Sequence, residues 1–256
     1  MSWTLTPDQF ALAWARTDGD RIPYPLAVRL SARDSTERAA QLPALNRWGD
    51  RALDADLEAA LRLLARPTVR VEVFGERDDR SSEAAAIRPV RVLGVSTGEI
   101  AVVAAQRAAA TPDRGGDIRL FVGAAKNLSA RVISMLPENT PGAITRMTAS
   151  QTRVKEDSRD LVTMPVAGPS TPSRMRRLLN QPRDGIGQIV VSLRRADDEL
   201  RPFGVLCWID VVGDGRYAVR TGADVDIVPV TAEVFTAQLS PMVTAAERRI
   251  AYADRW

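Results

Sequence analysis

Two stretches of the chain are nearly the same. LRLLARP at 61–67 and RRLLNQP at 176–182 lie 115 positions apart, and the patterns after each copy come in the same order. After the first come a strand pattern, a charged stretch, RPVRVL at 88–93, a turn and another strand pattern. After the second come a strand pattern, a charged stretch, RPFGVL at 201–206, a turn and another strand pattern. Chance can supply one such match, but the shared order argues for duplication. The spacing is too long for a solenoid, whose repeats run to roughly 20–50 residues. It predicts two helix-plus-hairpin modules joined in one sheet about a pseudo-twofold axis. Eight or so mainly antiparallel strands with helices packed beside them make an α+β architecture. The expected organisation is a single domain over 1–256. Its two related halves, about 1–136 and 171–256, are joined by a partly flexible segment at 137–170.

Local patterns supply the elements. Thr6, Pro7 and Gln9 form a helix start with a capping box, and Phe10, Ala13 and Trp14 come next at helical spacing. PYPLAV at 23–28 predicts an extended edge segment, because proline blocks a helix there. Asp34 with Glu37 predicts a second capped helix through about Trp48. Asp54 predicts a third, with Leu57, Leu61 and Leu64 on one face and its end before Pro67. Val69, Val71 and Val73 then alternate with other residues at the strand period. GERDDRSSEAAAI at 75–87 is expected to be a long loop, and strands are expected at 89–95, 99–105 and 118–122, with a short helix at 128–136. Residues 137–173 are rich in Pro, Thr, Ser and charge, with one possible strand at 143–149 and mobility through much of 150–170. In the second half, strands are expected at 189–193, 203–211, 216–220 and 224–228. Thr231 caps a terminal helix that Pro241 divides in two.

Composition narrows the chemistry. The 256 residues contain no histidine and one cysteine, Cys207, which excludes intramolecular disulfides, Cys/His zinc sites and any imidazole base. Cys207 sits in VLCWI and is expected to be buried. The apolar runs are too short to span a bilayer, and the first ten residues lack a signal-peptide pattern, so a cytoplasmic protein is expected. Net charge is +3, and the pI near 9.5 reflects cations that are nearly all arginine, Lys126 and Lys155 being the only lysines. These arginines are spread among acids rather than clustered among aromatics, unlike a nucleic-acid surface. Arg174, Arg176 and Arg177 are read as a solvated helix face.

No known catalytic or nucleotide-binding motif is present. DGIG at 184–187 comes after a helix and precedes a strand, the reverse of a dinucleotide fingerprint, and is read as a connector. Asp210 and Asp214 lie close together at a strand end, which keeps a carboxylate-dependent hydrolase open as an alternative; a nucleic-acid-associated regulator is the other. No metal and no cofactor is expected. Long loops on a rigid sheet are common binding elements, which draws attention to 75–87.

The order of motifs resembles the ESX secretion-associated EspG family. The resemblance rests on PYPL at 23–26, RLLARP at 62–67, VRVEVFG at 69–75, WID with DGRY across 208–217, and VPVTAEVFTAQL at 228–239. It implies a central sheet with quasi-twofold symmetry flanked by N- and C-terminal helical bundles. It also implies a non-enzymatic cytosolic chaperone of type VII secretion that binds the helical tip of the PPE subunit in a PE–PPE heterodimer. The family's recognition surface includes the loop between the second and third strands, with part of the sheet and the C-terminal helical region. In this chain the loop supplies Arg77, Asp78, Asp79, Arg80, Ser81 and Ser82 as partner-binding residues. No pattern assigns a role to 143–170.

Overall fold

The structure is a computed structural model that describes residues 1–17, 21–79, 86–109, 111, 113–156 and 169–253. The chain order is β1 (Ser2–Leu5), α1 (Pro7–Thr17), α2 (Ser35–Ala52), α3 (Ala55–Ala65), β2 (Val69–Asp79), β3 (Ala86–Thr97), β4 (Ile100–Ala108), β5 (Gly115–Ala124) and α4 (Leu128–Ile133). It continues β6 (Met147–Ser150), α5 (Gln151–Lys155), α6 (Thr171–Leu179), β7 (Arg183–Arg194), β8 (Leu200–Val211), β9 (Gly215–Thr221), β10 (Asp224–Pro229) and α7 (Ala232–Ala253). Among the described residues ten strands form one sheet in the order β1-β5-β4-β3-β2-β7-β8-β9-β10-β6, and every ladder is antiparallel.

That order reads the same from either edge. Each half is a four-strand meander with a short helix before it and a further helix after it, and β2 meets β7 at the middle. Each outer edge is closed by a short strand, β1 on one side and β6 on the other. The seam pairs Val73 with Ile189, and the neighbouring pairs exchange about that point. The quasi-twofold repeat expected from the duplicated segment is therefore present in the topology.

Two layers cover the sheet. On one face α4 and α7 pack over Val71, Val73, Val92, Ile189, Leu206 and Trp208. On the other, α1 and α3 cover the first half while the α5–α6 region covers the second, forming two separate cores. The helix caps agree with the sequence: Asp34 accepts from Glu37 N and Asp54 from Leu57 N, both at 2.8 Å. Thr6 and Gln9 close their reciprocal box at 2.9 and 3.3 Å. Leu57, Leu61 and Leu64 are fully buried, and each contributes roughly 1.5–3 kcal/mol by leaving water.

Several expectations are corrected. Residues 23–28 form no strand; the Gln106 side chain pairs with the Ala27 backbone instead, accepting from its N–H at 2.8 Å and donating to its carbonyl at 3.0 Å. The strand expected at 143–149 is β6, shifted to Met147–Ser150. DGIG is not a connector but part of β7. Its glycine composition has a packing cause, since a Cβ on Gly187 would come within 2.1 Å of the Trp208 ring. Pro241 does not divide α7, which runs through it because Leu239, Met242, Val243 and Ala246 all bury in the same core. Residues 157–168 lie outside the described residues.

Candidate functional site

The 75–87 stretch is shorter as a loop than expected. The β2–β3 ladder runs on from Phe74–Arg91 through Arg77–Arg88 to Asp79–Ala86, so Arg77, Asp78 and Asp79 are strand residues. Arg80, Ser81 and Ser82 lie outside the described residues. Strand alternation puts Arg77 and Asp78 on opposite faces, since successive side chains point to opposite sides of a strand. Arg77 lies on the α4 side, where its Nη1 donates to the Glu138 carbonyl at 2.6 Å. Asp78 is exposed and shares the Phe74 face, paired across the ladder with Ile87.

On the α4 side, Arg77, Arg88, Val90, Val92, Ala105 and Met135 line a cleft of about 350 Å³. It has an apolar floor and a basic rim. On the opposite face the gap between the two helical layers leaves the middle of the sheet open. Four strands border that gap, and their residues on this face run in rows: Pro89, Glu76, Ile186, Ile209; then Arg91, Phe74, Gln188, Cys207; then Leu93, Glu72, Val190, Val205, with the outer Ile209 and Leu93 buried beneath the flanking helical layers. The inner two strands, spaced by about 4.8 Å, leave a floor near the diameter of one helix, about 10 Å.

Large apolar side chains stand exposed in and beside this trough, among the charged ones. Ile87, Ile186 and Val205 are 49%, 44% and 46% exposed, and Tyr24 is 52% exposed. The Tyr24 ring tilts against Phe74 at 5.9 Å, close to Glu72 and Arg91. Toward the hairpin the exposed acids Glu76 and Asp78 stand beside Ile186 and Ile87. The far end carries Arg70, whose Nη1 is 3.6 Å from Glu72 Oε1. Burial raises the Glu72 carboxyl and the attraction of Arg70 opposes the rise. Burial likewise lowers Arg70 and Arg91. The trough is thus acidic toward the hairpin, and at the other end it carries the Arg70–Glu72 pair beside Val190 and Val205.

Cys207 is partly rather than fully buried in the floor of this trough, and that burial pushes its thiol up. Sequence reasoning misses the trough residues Tyr24, Phe74, Ile186, Val190 and Val205. A signal is available: β7 has apolar residues on both faces, and the flanking helices α3 and α6 are short.

The carboxylates held open for hydrolysis are occupied by structural partners. Asp210 is buried and accepts both Nε and Nη2 of Arg216 at 2.7 and 2.8 Å. Asp214 accepts from Tyr217 Oη at 2.6 Å and from Ala143 N at 2.7 Å. Among the described residues no group of three or more potential ligands surrounds a metal site, and no helix is long and apolar enough to cross a membrane. Arg176, in the basic cluster of α6, donates to the Arg153 and Glu156 carbonyls and ties α6 to α5.

The model of the EspG family matches residues 6–240. Among solved structures, the chain is similar to the Mycobacterium tuberculosis type VII secretion system chaperone EspG5, solved in complex with a PE25–PPE41 dimer. The TM-score is 0.65 at 18% identity, covering 96% of each chain, a likeness of fold. No curated protein sequence matches the chain significantly.

Proposed function

The chain belongs to the EspG family, and we propose on that premise that it is a non-enzymatic chaperone of type VII secretion. It binds the helical tip of the PPE subunit in a PE–PPE heterodimer, keeps the pair soluble and hands it to the secretion machinery. The observation that carries this reading is the open trough: a helix-wide floor with exposed apolar side chains, beside the β2–β3 hairpin. Exposed apolar patches on a soluble surface mark sites of association, and a client tip of the same character would self-associate if left uncovered.

Arg77, Asp78, Asp79, Arg80, Ser81 and Ser82 belong to this recognition surface, with Tyr24, Phe74, Ile186 and Val205 added from the trough. Charges at the rim select among clients by repelling wrong ones. The chaperone works in the cytoplasm, as one domain of two related halves (about 1–136 and 171–256) joined through 137–170, and needs no cofactor.

Co-expression with PE–PPE pairs is the test. A soluble client and a complex that co-elutes on gel filtration are expected for a cognate pair. Clients that stay insoluble, with no complex for any pair tried, would sink the proposal. Asp78→Arg combined with Asp79→Arg should weaken the complex about tenfold or more; unchanged affinity would remove the hairpin from the surface.

A further inference from the structure

We infer that the outer strip of the α4 face, centred on Phe121, is a second docking site, built for an acidic protein segment that carries one small apolar anchor. Arg119 on β5 and Arg131 on α4 both stand over the Phe121 ring, with their guanidinium carbons 4.7 and 4.8 Å from its centroid. The two charges are therefore no farther apart than the sum of those distances. Both side chains are exposed. Among the described residues neither guanidinium makes a hydrogen bond or an ion pair. Asp117, next on the same strand face, is beyond ion-pair distance of both. Some arginines elsewhere meet acids directly, as in Arg16–Asp50, Arg38–Asp8 and Arg146–Asp226.

The pseudo-symmetry makes this gap informative. Arg119 pairs with Ala105 on β4 and Thr4 on β1. The equivalent place in the second half is Asp226, which pairs with Arg220 on β9 and Thr148 on β6. There the charge is fully satisfied: Asp226 accepts from Arg146 Nε and Nη2 at 2.9 and 3.0 Å and from Thr148 Oγ1 at 2.7 Å. The first half keeps the threonine but replaces the acid by arginine, removes the facing arginine and adds a second cation from α4. Phe121 holds both cations in place, which lowers the ordering cost of pairing them.

The ligand class can be read from the surroundings. Beside Arg131 a notch of about 80 Å³ is lined by Ala101, Val103, Phe121 and Leu128. Small-molecule pockets are roughly 300–1,000 Å³, so this space suits one side chain rather than a free metabolite. Two preset guanidiniums beside an apolar notch match carboxylates flanking a leucine-sized anchor, since guanidinium pairs with carboxylate by charge-assisted hydrogen bonds. The strip is on the sheet face opposite the trough, so a partner here does not compete with a client there. The inference goes beyond the proposed client binding and stands without it.

A fluorescein-labelled, glutamate-rich peptide with one central leucine is the probe, read by fluorescence anisotropy. Binding is expected to fall about tenfold or more in the double variant Arg119→Glu/Arg131→Glu. It should fall less in Arg174→Glu/Arg177→Glu, which removes the same charge from an exposed face of α6. Replacing the peptide's leucine by glycine should also weaken binding, and Phe121→Leu should do so with both arginines kept. Circular dichroism checks that each variant is folded, and co-elution with a PE–PPE pair should be unchanged in the Arg119/Arg131 variant. No peptide binding, or equal losses in the two charge-reversal variants, overturns the proposal. So does a duplex DNA or an anionic vesicle that binds in the peptide's place and is lost in the Arg119/Arg131 variant.

Discussion

The two halves share one topology and differ in what fills their centres. In the second half, Trp208 lies over Gly187 and over Gly75 of the first half, and its ring meets Phe235 edge-on at 6.5 Å. Its counterpart by ladder position is Gly94, where a Cβ would come within 2.6 Å of Val132. Helix α4 therefore lies close on its half, while α7 stands over an indole. A further contrast is at the turn end: the buried Asp210–Arg216 pair in the second half corresponds to Ser96 and Ala101 in the first. One half is closed by small residues and close helix contact, the other by an aromatic plug and an ion pair. A single backbone plan accommodates both because each bulky group meets a glycine: Trp208 lies over Gly187 and Gly75, and Val132 over Gly94.

This contrast can be broken by substitution. The largest effect is expected for Asp210→Ala, which leaves the Arg216 guanidinium buried without its acid. Chemical denaturation should show a loss of roughly 3–5 kcal/mol, whereas Ser96→Ala at the matching place should cost about 1 kcal/mol. Equal losses would mean that the ion pair does not distinguish the halves. Gly187→Ala comes next, since the new methyl meets the Trp208 ring, and overpacking of this kind costs roughly 1–3 kcal/mol. Gly123→Ala, where a Cβ meets nothing within 4 Å, is the reference and should be nearly neutral.

Ile186→Asp separates binding from folding. Ile186 is exposed in the trough, so the melting temperature should barely move while client affinity falls about tenfold. A large loss of stability with binding intact would show a structural residue instead.

The smallest effect is expected at high pH. Tyr217 is pushed up to about 12, first by burial and then by its hydrogen bond to Asp214. Its neutral form is favoured in the folded chain. The stability it contributes is thus fully present below the ordinary tyrosine value of 10.0 and is lost as pH rises through about 12. Tyr217→Phe should remove the highest step of the alkaline absorbance titration and flatten stability over that window. Val102, at the matching place in the first half, has no such titration.

The duplication is readable in sequence because turn, strand and proline signals are local. Its register is less so. LRLLARP and RRLLNQP align by letters 115 apart, but the buried faces match Leu61 with Met175 and Leu64 with Leu178, one residue less. In the hairpins, Pro89 and Pro202 are true equivalents, each across from its half's inner strand. A bulge at Phe203 then adds a residue, as the ladder steps from Ser192–Pro202 to Val191–Gly204. Periodicity cannot register such an insertion, because the bulged residue is itself apolar.

The charges of the hairpin mark its place, but alternating charges in a loop and in a strand look alike until pairing partners are known. The partners of Arg77 and Asp78 are set by strands β3 and β7. The trough is hidden for a related reason. An apolar run such as VLCWI signals burial, and only the arrangement of the helices reveals that one face is left bare.

The seam through Val73 and Ile189 has a consequence for what kind of object this is. A half-length chain with this fold would pair with a copy of itself about that same point and form an isologous dimer. Such a dimer must display identical surfaces at both ends. Joining the halves in one chain lifts that constraint, and a cationic strip at one edge can face a neutralised acid at the other. The asymmetry that an obligate twofold would forbid gives a single small molecule distinct ends.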